Sequence, residues 1–242
     1  RKEDLVREWR ELLRKILEDL EDLVRKWRKL LKKILDDLRE LVRRVREELD
    51  KALRTVEKGE LDAEEVLKEL ERLVEEIIRA VRELLKRLSD LNKKVLDELR
   101  RLVERLSKLN KEVLDKIREE ERSRKIEEIL RELEELNRRS LKKLEKILKE
   151  LDEADKRSLK EVEDVLEELK RRIREILELM KAGKDLRDLV RKIIEIIEDI
   201  LRLLEEVLRK NVKAVEEVLR LAIRVLEENI EAVEKVLEDV RR

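Results

Sequence analysis

The chain has 242 residues, 54% of them charged and 41% apolar, with Lys plus Arg equal to Asp plus Glu at 65 each. The two signs are interleaved every few residues and no apolar run exceeds three, so a basic stripe for nucleic acid, a bilayer span and a signal-peptide core are all excluded. Pro, Cys, His, Phe, Tyr and Gln are absent, which removes disulfides, the preferred zinc ligands and the usual catalytic base, and leaves the vocabulary of long helices.

The first helix is predicted over 4–57. It reads DLVREWRELLRKILEDLE, then DLVRKWRKLLKKILDDLR, then the looser ELVRRVREELDKALRTVE. Eighteen residues make five whole turns, so the copies stack in phase, and Trp9 and Trp27 fall on one line about 27 Å apart. A seven-residue repeat would force a left-handed supercoil, whereas an eighteen-residue repeat matches a straight, untwisted helix.

A turn is expected near 58–61, with Gly59 as the left-handed residue that ends the helix and Asp62 as the N-cap of the next. Glu65 completes a capping box with Asp62, and Leu61 and Val66 occupy hydrophobic-staple positions. The second helix, 62–120, contains LSDLNKKVLDELRRLVER followed by LSKLNKEVLDKIREEERS. These copies set Ser89 above Ser107 and Asn92 above Asn110.

The next turn is predicted within 118–125, the all-polar run REEERSRK. Phase requires it independently: the apolar stripe ending at Leu114 and Ile117 resumes at Ile126, Ile129 and Leu130 rotated by roughly 170°. Ser123 is the candidate N-cap. The third helix, 124–181, pairs Asn137 with Asp155 and Ser140 with Ser158 at the same spacing. A last turn near 182–184 uses Gly183 and Asp185 as the first used Gly59 and Asp62. The fourth helix, 185–241, pairs Asn211 with Asn229.

Four helices of equal length joined by short turns imply one domain over 1–242, an all-α, straight, antiparallel up-down-up-down bundle. Folding the helices up and down collects the polar pairs at two heights, with Trp9 and Trp27 beside them. At the third repeat the equivalent positions are Val45, Val74, Ile173, Ile176 and Ile193, and only Glu71, the counterpart of Ser89, stays polar. Two layers are therefore expected to be polar and one dry. The asparagines and Asp155 stand near the centres of their apolar stripes, which predicts burial and hydrogen-bond networks across helices 2, 3 and 4, with the indole N–H groups donating into them. Such networks favour one register, because a slipped arrangement buries unsatisfied amides.

The near-identical eighteen-residue copies, the KGELD and KAGKD turns, the balanced Glu/Lys/Arg surface and the S-x-x-N and N-x-x-S units resemble computationally designed helical bundles with modular buried hydrogen-bond networks. The resemblance covers the whole chain. It implies a structural scaffold without natural activity or substrate, used as a building block or interaction module.

Composition and spacing suggest no catalytic, cofactor-binding or metal site. Asp155 is the one candidate acid or base, but no Gly-rich phosphate loop accompanies it and the Glu-x-x-His unit of di-iron bundles is missing. No cofactor, nucleic acid, membrane or small-molecule partner is expected, and a soluble chain without a targeting signal follows. Helix 4 is the exception in pattern: its apolar residues cover about 200° of arc against about 140 to 160° elsewhere. The excess includes Ile194, Val212 and Ile230, which fits either deeper burial in a monomer or a strip through which a second copy or a partner helix assembles.

Overall fold

The computed structural model describes residues 2–59 and 63–241. It consists of α1 (Lys2–Lys58), α2 (Ala63–Glu120), α3 (Arg124–Lys181) and α4 (Leu186–Arg241), and no strand occurs among the described residues. Leu, Glu, Lys and Arg lose little rotamer freedom in a helix, and with no proline every helix runs uninterrupted for 56 to 58 residues.

Each turn is made by the residue its geometry needs. Gly183 has φ 81°, and the bonds from its N–H to the Met180 carbonyl (3.1 Å) and from the Lys184 N–H to the Leu179 carbonyl (3.5 Å) form a Schellman motif. Asp185 then caps α4, its Oδ1 accepting from the Arg187 N–H at 3.2 Å. Gly59 has φ 66° and bonds back to the Val56 carbonyl at 3.3 Å. The proposed cap Asp62 and staple residue Leu61, and with them the capping box to Glu65 and the staple to Val66, lie outside the described residues. Between α2 and α3 the chain leaves the helix for residues 121–123 alone. Ser123 Oγ accepts from the Ile126 N–H at 3.3 Å, so it is the N-cap without a capping box.

Contacts divide the chain into two compact units, and each helix contributes one segment to each. Unit 1 comprises 1–29, 92–154 and 213–242; unit 2 comprises 30–91 and 155–212. In unit 1, α1 meets α2 at Arg105–Asp19 (2.7 Å), α2 meets α3 at Arg118–Glu134, and α4 meets α1 at Arg10–Glu234 (3.5 Å) and Arg28–Glu216 (3.2 Å). In unit 2 the same neighbours meet at Arg87–Asp37 (2.6 Å), Arg82–Glu163 (3.6 Å) and Arg191–Glu57 (3.6 Å). The α3–α4 contact is polar and buried in unit 1 and part-buried in unit 2 (below). As residue numbers rise on α1 they fall on α4, so adjacent helices are antiparallel and the bundle is up-down-up-down. These ion pairs, exposed or at most half-buried, mark the seams and add little stability, about 0 to 1 kcal/mol each.

The core is leucine, isoleucine and valine at helical spacing, and deletion of any large member costs about 2 to 5 kcal/mol. Unit 2 holds the dry layer: Val45, Val74, Ile173, Ile176 and Ile193 are all buried, while Glu71 is exposed.

Candidate functional site

Among the described residues, seven polar side chains are buried between the apolar ones: Ser89, Asn92, Asn110, Asn137, Ser140, Asn211 and Asn229. The five asparagines are no more than 5% exposed. A buried amide must find partners within the protein, and the geometry shows where they are.

Between α1 and α2 the partners are the tryptophans. Trp9 Nε1 donates to Asn110 Oδ1 at 2.9 Å and Trp27 Nε1 donates to Asn92 Oδ1 at 3.2 Å. Indole offers a donor and no acceptor, so each amide must turn its oxygen to α1. Five turns up α1 correspond to five turns down α2, and the same bond recurs.

Between α3 and α4 the bonds are amide to amide and amide to hydroxyl. Asn229 Nδ2 donates to Asn137 Oδ1 at 3.2 Å and to Ser140 Oγ at 2.9 Å. Asn211 Nδ2 donates to Ser158 Oγ at 2.8 Å. The pairing again follows the antiparallel register.

Three features differ from expectation. Around Trp9 the polar layer consists of two separate hydrogen-bonded groups, α1 with α2 and α3 with α4, where the sequence predicts one network across helices 2, 3 and 4. In this layer Asn110 Nδ2, Asn137 Nδ2 and Asn229 Oδ1 are buried without a hydrogen-bond partner. Ser107 is exposed although its copy Ser89 is buried. Both lie roughly 85° from the centre of the buried stripe of α2, where cover depends on the side chains opposite. Asp155 and Ser158 are half-buried. An ionised carboxylate is far costlier to strip of water than the amide it replaces, and no residue of α3 from 152 to 161 is buried.

On α4, Ile230 is buried and Ile194 and Val212 are half-buried. Val212 and Ile230 stand one turn from Glu216 and Glu234, which pair with Arg28 and Arg10 of α1, so this flank of α4 is turned to α1. Sequence reading missed the large apolar side chains that are exposed among the described residues: Leu12 and Leu30 on α1 and Leu203 and Leu221 on α4. Their own eighteen-residue spacing was the available signal.

A hydrogen bond from Arg43 holds the Glu40 carboxyl below the usual carboxylate range, and Glu40 in turn raises Arg43. The groove beside Ala80, about 340 Å³, is rimmed by Arg44, Glu48, Glu76, Arg79 and Glu83, a mixture of signs that selects no ligand charge. Among the described residues no cluster of three or more acidic side chains is placed to hold a metal, and no helix is long and apolar enough to cross a membrane.

No protein-family model matches this chain, and no curated protein matches it. A solved structure described as a computationally designed three helix bundle aligns over 99% of this chain and 93% of its own length, at 20% identity and a TM-score of 0.27.

Proposed function

We propose that the chain is a de novo designed structural scaffold, a single four-helix module over 1–242 without natural biochemical activity, in which buried Asn, Trp and Ser side chains, with the half-buried Asp155 beside them, enforce helix register. The observation that carries this reading is the recurrence of one bond, Trp9 to Asn110 and Trp27 to Asn92, at a five-turn interval on both helices. A slip of α1 against α2 by a single turn breaks both bonds and leaves indole and amide groups buried and unpaired, at about 1 to 3 kcal/mol each. A slip by a whole repeat breaks both, makes a single equivalent bond in their place, Trp9 to Asn92 or Trp27 to Asn110, and sets one remaining polar side chain against Val74 or Val45. The native register alone keeps both bonds.

Supporting a designed origin are the repeated eighteen-residue copies, the equal charge counts and the omission of Pro, Cys and His. The buried polar groups are engaged with one another, which suits an architectural role better than a catalytic one. The competing reading is a homo-oligomer or interaction module assembled through Ile194, Val212 and Ile230. Burial of Ile230 and partial burial of the other two favour their use inside the bundle. Absolute mass by light scattering over a tenfold concentration range separates the two: a constant 29.5 kDa supports the monomeric scaffold, and a doubling supports assembly.

A further inference from the structure

Asn137 and Asn229 form one hydrogen bond where two amides facing each other can form two. Asn229 Nδ2 reaches Asn137 Oδ1 at 3.2 Å, while the opposite ends of the same two amides, Asn137 Nδ2 and Asn229 Oδ1, are buried and unpaired. One is a donor and the other an acceptor. An amide nitrogen and oxygen are about 2.2 Å apart, so with the 3.2 Å bond between the two amides these free ends, which make no bond to each other, lie no more than about 7.6 Å apart. A water molecule spans up to about 5.7 Å between two partners, so one water bridges the free ends over the nearer part of that range.

We infer that Asn137 and Asn229 hold one internal water between α3 and α4, accepting from Asn137 Nδ2 and donating to Asn229 Oδ1. Three observations support it. Both side chains are at least 95% buried, so bulk solvent does not serve them. The free ends are complementary, and two polar partners meet the minimum for a buried water. Exchanging nitrogen and oxygen in both amides keeps their mutual hydrogen bond and again leaves one donor and one acceptor free. The inference therefore holds for either amide orientation. Ser140 does not compete, since its hydroxyl is engaged by Asn229 Nδ2 at 2.9 Å. The water completes the pairing that the two amides leave half made, and it makes the α3–α4 contact of unit 1 a hydrated one.

The test is a crystal structure of the full chain at atomic resolution, joined to oxygen-17 relaxation dispersion in solution, which counts long-lived internal waters. The inference predicts a single density peak within hydrogen-bond distance of both free amide ends, and one fewer long-lived water in the double variant Asn137→Leu/Asn229→Leu. Density showing the amides closed on each other through two direct bonds, or no peak between them, overturns it. The diffraction measurement needs no variant, so a misfolded double variant leaves the question decidable.

Discussion

Trp9 donates its indole N–H to Asn110 Oδ1 at 2.9 Å, and because Asn110 Nδ2 has no partner, this is the hydrogen bond that holds the Asn110 side chain. Trp9→Phe keeps most of the apolar bulk and removes the donor. The variant is expected to lose about 1 to 3 kcal/mol, and Asn110→Leu added to it is expected to recover most of the loss. Urea unfolding of the two single variants and the double variant measures this. Additive losses mean the indole and the amide are not coupled.

The caps give a second set of expectations. Ser123→Ala removes the side-chain acceptor of the Ile126 N–H and should cost about 0.5 to 2 kcal/mol. At Gly183 an added Cβ meets nothing within 4 Å, so Gly183→Ala should cost the left-handed backbone strain alone, about 1 to 2 kcal/mol, and Gly183→Asn less. Thermal melts rank them. An unchanged melting temperature for Gly183→Ala would contradict the assigned turn.

Substitutions on α4 should separate burial from assembly. Ile230→Glu places a charge where the side chain is 7% exposed and is expected to destabilise by several kcal/mol. Val212→Glu, at a half-buried position, is expected to be milder and to leave the mass unchanged. A parent that is dimeric and a Val212→Glu variant that is monomeric would instead make this flank an interface.

Glu40 should titrate below other exposed glutamates. Its folded pKa is depressed by the Arg43 hydrogen bond, so the small stabilisation from the pair is fully present above the ordinary glutamate value and is lost as pH falls through the depressed one. Carboxyl carbon NMR against pH shows this directly, and Arg43→Met should return Glu40 to the ordinary range.

Much of this was legible because the punctuation is unambiguous. Gly59, Ser123, Gly183 and Asp185 are residues whose backbone or side-chain chemistry fits a helix end, and all four stand at one. The burial of the asparagines followed from stripe phase. Phase gives each side chain a direction on its own helix and says nothing of which neighbour meets it, so the division into α1–α2 and α3–α4 bonds was not readable. The flank positions suffered for the same reason: Ser89 and Ser107 share a phase and differ in cover. Asp155 has the phase of Asn137, but its charge favours a wetter place.

The most direct test of register enforcement is to dry one polar layer. The quadruple variant Trp9→Phe, Asn110→Leu, Asn137→Leu and Asn229→Leu removes every partner in the hydrogen bonds of that layer except Ser140. Its core methyl NMR spectrum and absolute mass are the readouts. The account predicts unchanged helix content with several sets of core resonances or a mixture of masses, as alternative registers become accessible. One mass and one sharp set of resonances would contradict it, and would reduce the buried amides to tolerated polar groups.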